Sequence, residues 1–448
     1  MKLYPHLLQG VVLPLLAVIK GKPLIRYVNE YSKHIALSPD ELSALQWQSL
    51  TRLLKHSFDN SPYYHQRWQK AGVDDIRTVD SMAQFQQLPI LTKADIQQHY
   101  DQLKAKNFDN NIVKSTGGST GTPLRFELDA NSNTRREAIM WRGYDWLGAG
   151  LGVRTLYLWG AGIGQVSFAR QIKERLYHGL YNRKMLNSFS MAPDNMHQYI
   201  AQINAYRPDA MVAYVNPLYE LSKHILQQNI VVHRPNSILT GAEPLYEYQR
   251  DTIEKAFSCP VYNTYGCREV MLIAAECKTH KKLHINSDHL LVETVNQDGQ
   301  VNNGESGDVL LTDLFNYGMP LIRYQNGDRA TLHNAACGCG NPLPLMSSID
   351  GRKLDVIKTR SGKLIPGELF PHLFKEFASI DKFQVRQSDI DELIICIVTK
   401  NGLADGDKLA ICNEINRYAA HELTLTFKFV DDIPLTASGK YRVTICEV

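Results

Sequence analysis

The stretch AMVAYVNPLYELSKHILQQNIVVHRPNSILTGAEPL, residues 210–245, decides the fold. A short apolar run leads into an amphipathic segment, PLYELSKHILQQ, and then into a second apolar run, SILTG, which reads as strand, helix, strand. The same alternation recurs on either side, in TLYLWG (155–160), MHQYIAQINAY (196–206), YQRDTIEKAF (248–257) and PVYNTYG (260–266). Two strands joined through a helix lie parallel, helices cover the resulting sheet, and ligands collect beyond the carboxyl ends of the strands. The expected class is therefore α/β, with chemistry on the loops that follow the strands.

On the N-terminal side, residues 40–105 carry apolar residues at helical spacing, with a break at Ser61–Pro62 and an N-cap at Thr92. Residues 1–105 are expected to be a mostly helical lead-in. The first residues, MKLYPHLLQGVVLPLLAVIKGKPL, form an apolar run interrupted by Gly10 and Pro14 with no small-x-small cleavage site. They read as too short to span a bilayer and as a packing arm of a cytoplasmic protein, with membrane contact the less favoured reading. On the C-terminal side come hairpin-like strands, LHINSDHLLVETV and SGDVLLTDLF, separated by a turn at 297–299. Past GRKLD, the segments DELIICIVTK and TFKFVDDI read as strands and GDKLAICNEINRYAAHEL as a helix, with another helix near Pro366. That is a compact α+β unit of its own, so the expected domains are 1–351 and 352–448.

The 49 basic and 46 acidic residues among 448 leave a net charge of +3, which supplies no field for nucleic acid. All eight cysteines lie from Cys259 onward in a long chain, which excludes a disulfide-dense scaffold and points to reduced thiols or a metal site.

Chemistry concentrates in six loops. STGGSTGTP (115–123) offers glycines that let backbone approach an anion and hydroxyls on Ser115, Thr116, Ser119, Thr120 and Thr122 that can donate to it. It lacks the Gly-Lys-Ser/Thr ending of a nucleoside-triphosphate P-loop and contains no lysine. IPLTASGKYR (433–442) presents Lys440 in a turn, a point charge suited to a reacting phosphate. GAEPL (241–245) and NTYGCRE (263–269) follow strands. RYQNGDRA (323–330) places Asp328 where a carboxylate can accept from ribose hydroxyls, and GRKLD (351–355) puts Arg352 at the boundary.

In chain order, five of these stretches, STGGSTGTP, NTYGCRE, YQNGD, GRKLD and PLTASGK, resemble the motifs of the adenylate-forming superfamily, in the branch of phenylacetate-CoA ligase and the CapK-type proteins. The resemblance spans residues 115–440 and implies a large N-terminal domain of helix-layered parallel sheets plus a small barrel-like part, followed by a small mobile C-terminal domain. It implies ATP and Mg²⁺ as cofactors and a two-step reaction, in which a carboxylate attacks the α-phosphate of ATP to give acyl-adenylate and pyrophosphate, and the acyl group then passes to an acceptor. By motif, Ser115, Thr116, Gly117, Gly118, Ser119, Thr120, Gly121 and Thr122 grip the phosphates, with Thr120 counted among the catalytic residues. Gly241, Ala242 and Glu243 lie beside the adenine with Asn263, Thr264 and Gly266, and Tyr265 stacks on it. Asp328 and Arg352 hold the ribose, Glu269 is the Mg²⁺ ligand, and Lys440 bridges carboxylate and α-phosphate.

Cys277, His280 and His284 in ECKTHKKLHI, with Cys337 and Cys339 in ACGCG, are the ligand types zinc prefers, and one of the two histidines would close a structural site. Members of the phenylacetate-CoA ligase branch carry such a site here. Leu-His-Ile reads equally as a plain strand. Two departures from the family pattern bear on function: Leu354 occupies the usual polar hinge position, and Ser361 falls where many acyl-CoA ligases have the glycine of the pantetheine tunnel. The acceptor is thus either CoA or an amine or hydroxyl on a saccharide, the latter suited to polysaccharide biosynthesis. Trp141, Trp159 and Tyr214 can face the acid or belong to the core. The rival reading is a non-catalytic nucleotide-binding scaffold of a polysaccharide assembly system.

Overall fold

The computed structural model describes residues 3–448 apart from 117–123, 161–167, 280–281, 297–298, 302, 334, 348–355, 366, 368, 375, 378, 400–401 and 434–442. Two compact units divide the chain. The first comprises 1–114, 124–151 and 262–351, and the second 115–123, 152–261 and 352–448.

In the first unit the helical lead-in begins with a run over Leu3–Leu7, Leu8–Val12 and Leu13–Lys20. Gly10 and Pro14 do not interrupt it. Gly10 lies in a π turn, and Pro14 sits in the first turn of the segment that follows, the helical position that tolerates proline best. The 18-residue run is long and apolar enough to cross a membrane by length and composition, which corrects the expectation that it is too short.

The helix Pro39–Asn60 starts on a Ser38/Glu41 capping box and ends at Ser61, and Thr92 caps Lys93–Gln98 through a second box with Asp95, so both boundaries fall where side chains satisfy orphaned backbone N–H groups. These helices pack Trp68, Tyr64, Phe85 and Leu54 against Phe126, Leu321 and Tyr324 in one buried cluster. The unit's strands run antiparallel in the order Gly299–Gln300, Leu290–Asn296, Ser306–Asp313, Tyr324–His333, Leu345–Met346, Leu283–Ile285, Met271–Glu276, Val261–Cys267.

A charged network anchors the helix Ala130–Trp146 under these strands. The fully buried Arg142 grips Asp288 through both nitrogens and also donates to Asn286 and the carbonyl of Tyr31, while His34 bonds the same carboxylate at 2.9 Å. Burial works against the Asp288 charge, but Arg142 and His34 more than offset it and hold the carboxyl down to about 2. A folded-state pKa below the unfolded one stabilises at pH above the unfolded value, and that contribution disappears as pH falls through the folded one. Denaturant unfolding is therefore expected to show a loss of about 2 kcal/mol between about pH 4 and pH 2. An Asp288→Asn variant with the same loss over that window would refute the assignment.

The second unit holds the parallel sheet expected from residues 210–245. Its strands run in the order Ser237–Gly241, Ala210–Tyr214, Thr155–Trp159, Arg183–Asn187, all pairs parallel. Every residue of Ala210–Tyr214 and Ser237–Gly241 is buried, as both faces must be when crossover helices such as Met196–Tyr206, Val215–Gln227 and Glu247–Phe257 cover the sheet. The C-terminal part of this unit is a four-stranded sheet, ordered Thr424–Phe429, Glu392–Val398, Lys382–Asp389, Thr444–Cys446, with helices Leu369–Phe374 and Asp405–Ala419. Phe189 and Tyr214 enter its core beside Phe370, Phe374 and Tyr418.

Candidate functional site

The first unit brings together the residues of NTYGCRE and YQNGD. Val261–Cys267 and Met271–Glu276 form a hairpin whose register shifts at Tyr265/Gly266 and whose turn carries Glu269. Gly266 is required there: a Cβ would lie 1.9 Å from the carbonyl oxygen of Met271. The turn buries Glu269 and fixes it at both ends. Its Oε1 accepts from the hydroxyl of Tyr324 at 2.8 Å, and its backbone carbonyl accepts from Nη1 of Arg136 at 3.0 Å.

Beside it, the Tyr265 hydroxyl donates to Oδ2 of Asp328 at 2.9 Å and accepts from Nδ2 of Asn326 at 2.8 Å. Asn326 also donates to Asp328 at 2.9 Å and, through its Oδ1, accepts the Asp328 backbone N–H. Burial, and then the charge of Asp328, push the Tyr265 hydroxyl well up, so it stays a proton donor to that carboxylate. Cys267 is held neutral by burial and by the neighbouring Glu269. Two carboxylates, Glu269 and Asp328, are thereby aimed by neutral donors. Such groups can take a hard cation or sugar hydroxyls. Tyr324, Asn326 and Arg136 were missed in the sequence. The signal for the first two was their nearness in sequence to Asp328, in a strand whose bulge at 326–328 the sequence did not reveal.

Of the remaining predicted residues outside the cysteine and histidine set, Trp141, Asn263 and Thr264 belong to the first unit, and the others belong to the second unit or lie outside the described residues. Gly241 ends its strand, Ala242 follows in the left-handed region at φ 68°, and Glu243 accepts from the backbone N–H and Nδ2 of Asn216 at 2.7 and 2.6 Å. Glu243 thus serves the first turn of the helix Val215–Gln227, where orphaned N–H groups and the helix dipole favour a carboxylate. Trp159 lies 4.1 Å, ring to ring, from the buried Tyr214, and both pack in the C-terminal core, whereas Trp141 is buried in the first unit on the helix Ala130–Trp146. Asn263 donates its N–H to Glu276 at 2.8 Å, and Thr264 pairs with Ala275 across the hairpin. Ser115 ends the strand Ile112–Ser115 and Thr116 follows it. Gly117, Gly118, Ser119, Thr120, Gly121, Thr122, His280, Arg352, Leu354 and Lys440 lie outside the described residues.

A second constellation forms on the same antiparallel strands. Cys277, His284, Cys337 and Cys339 bring one ligand atom each to within 4.8 Å of one another. The Sγ atoms of Cys277 and Cys337 are 3.6 Å apart, and Sγ of Cys339 lies 3.3 Å from Nε2 of His284. His284 is fully buried in Leu283–Ile285, paired to Ala275 and Leu345, and its Nδ1 bonds the carbonyl of Leu343 at 3.1 Å. That bond requires the proton on Nδ1, which leaves the Nε2 lone pair facing the thiols. Three sulfurs and one imidazole nitrogen in this arrangement fit the four ligands of a closed tetrahedral site.

Residues 357–447 match the CapK C-terminal domain family. Over 454 aligned residues the chain is 28% identical to Protein CapK of Staphylococcus aureus, covering 96% of each. It is 26% identical to phenylacetate-coenzyme A ligase of Escherichia coli (strain K12), covering 84% of this chain and 88% of that one. Among solved structures it is similar in fold to 2-hydroxyisobutyryl-CoA ligase in complex with 2-HIB-AMP and CoA, with a TM-score of 0.60 at 17% identity over 92% of this chain and 91% of that one.

Proposed function

We propose, for a chain that is an adenylate-forming ligase of the CapK/phenylacetate-CoA ligase-like branch, that it activates a carboxylic acid with ATP to an acyl-adenylate, releases pyrophosphate and passes the acyl group to CoA. The observation that carries this reading is the pair of aimed carboxylates in the first unit, Glu269 held by Tyr324 and Asp328 held by Tyr265 and Asn326. Asp328 is the acceptor for ribose hydroxyls. Glu269 is the protein ligand of Mg²⁺, which when bound supplies charge neutralisation at the phosphates. Tyr324 orients Glu269, and Asn326 orients Asp328 and keeps the Tyr265 hydroxyl pointed at it. Lys440 meets the charge that develops on the α-phosphate. The Cys277, His284, Cys337 and Cys339 set holds one structural zinc, remote in role from the reaction because four protein ligands leave no open position.

The relatives named for their substrates are CoA ligases, which favours CoA over an amine or saccharide hydroxyl as acceptor. The test is pyrophosphate release from ATP and Mg²⁺ over a panel of aromatic, fatty, hydroxy and sugar acids, with and without CoA, in wild type and Lys440→Ala. Acid-dependent release that drops about a hundredfold or more in the variant, with thioester appearing when CoA is added, is the expected result. ATP that binds without release for any acid would instead favour the non-catalytic scaffold.

A further inference from the structure

Building on the reading of the site as an ATP site, we propose that Lys114, Arg136 and Arg268 of the first unit form a cationic cluster that binds the pyrophosphate portion of ATP and the pyrophosphate product.

All three belong to the first unit. Lys114 is half-buried on the strand Ile112–Ser115 and immediately precedes Ser115, the first residue of the Ser/Thr/Gly loop. Arg268 is the exposed neighbour of Glu269 in the hairpin turn. Arg136 lies on the helix Ala130–Trp146, is 5% exposed and reaches the same turn through its bond to the carbonyl of Glu269. That bond is the one hydrogen bond Arg136 makes among the described residues, and its buried Nε has no partner there. A guanidinium has five donors in a fork suited to phosphate oxygens.

Among the described residues none of the three cations forms an ion pair. The acidic groups near Arg136 are accounted for elsewhere. Glu137 is bonded to Lys22 at 2.6 Å, Cys267 is a neutral buried thiol, and Asp313 caps the Phe315 N–H at 3.0 Å with its carboxyl pushed up to about 6, chiefly by burial. Lys114 and Arg136 are shifted down, first by burial; repulsion from Arg136 and then Arg268 adds to the shift of Lys114, and repulsion from Arg268 to that of Arg136. Buried or half-buried cations that repel one another, with no carboxylate in ion-pair contact among the described residues, are unfavourable unless an anion joins them. A polyphosphate carries several negative charges and many acceptor oxygens, whereas AMP carries one phosphate. The cluster therefore discriminates the β and γ phosphates, and Glu269 beside it would hold Mg²⁺, which would supply further charge neutralisation there.

The test is calorimetric binding of inorganic pyrophosphate and of AMP, each with Mg²⁺, to the full chain and to Lys114→Gln, Arg268→Gln and Arg136→Gln. We expect each substitution to weaken pyrophosphate by about tenfold or more, with a shallower salt dependence, and to leave AMP within about twofold. Arg136 is buried and its variant can misfold, so Lys114→Gln and Arg268→Gln, whose side chains are not core, are the deciding substitutions. Pyrophosphate binding unchanged in those two, or a wild type that binds AMP and not pyrophosphate, overturns the inference and leaves the ATP-site reading standing. A wild type that binds neither overturns both.

Discussion

Glu269→Gln is expected to lower acid-dependent pyrophosphate release by about a hundredfold or more at saturating acid. The substitution keeps size and shape and removes the charge, in a place the structure holds rigid. Glu269 is 4% exposed, its Oε1 takes the Tyr324 hydroxyl at 2.8 Å, and its turn is fixed by Gly266 and by Arg136. A glutamine can keep the Tyr324 bond, so fold and position survive while the hard-cation ligand becomes a neutral amide oxygen. The loss should consequently be accompanied by a higher Mg²⁺ requirement, with half-maximal Mg²⁺ rising about tenfold or more. Tyr324→Phe removes only the orienting hydroxyl and is expected to cost far less, through the same Mg²⁺ dependence. Equal Mg²⁺ titrations for wild type and Glu269→Gln, whatever the rate, would show that this carboxylate does not hold the metal.

The contrast between Glu269 and Arg136 shows what a sequence exposes. Glu269 stands in a short motif whose glycine is forced by the approach of Met271, so the chemistry and the turn that presents it are written within seven residues. The parallel sheet is legible for a similar reason: AMVAY and, apart from Ser237 and Thr240, SILTG carry no alternating polar pattern, and every residue of both is buried because helices cover both faces. Arg136 carries no such mark. It sits in a helix among other arginines, and what sets it apart is that Glu269, 133 positions away, offers it a carbonyl and no carboxylate pairs with it among the described residues. Asp288 and Arg142, 146 positions apart, are hidden in the same way. The N-terminal helix failed for the opposite reason. Gly10 and Pro14 are genuine breakers, but each occupies a position where the helix tolerates it, and that depends on the particular turn into which it falls.

The cysteine cluster was legible in its residue types and not in its geometry, and it carries the second large effect. Four ligands drawn from residues 277, 284, 337 and 339 tie two loops to the strand Leu283–Ile285, which itself is only three residues long and pairs on both sides. Without metal, three thiols and an imidazole face one another with hydrogen bonds among themselves and with Thr279 and the Asn341 N–H as compensation among the described residues. Thiolates beside one another repel, as Cys337 and Cys339 already do in opposite directions: burial disfavours ionisation at both, hydrogen bonds from Thr279 and Cys339 nonetheless hold Cys337 down to about 6, and Cys339 is pushed up to about 12. A divalent cation converts this conflict into four bonds, and the free energy of binding becomes folding free energy for these strands. Purified protein is expected to hold about one zinc per chain by elemental analysis. Stripping it, or Cys277→Ser, should lower the melting temperature by about 5 °C or more, on the order of several kcal/mol, while Cys412→Ser on the helix Asp405–Ala419 leaves both zinc content and melting unchanged. The same strands continue into the hairpin that presents Glu269 and Tyr265, so the stripped protein should lose ATP binding in step with melting rather than at a lower temperature. Zinc-free protein of unaltered stability would show that these four side chains meet for packing alone.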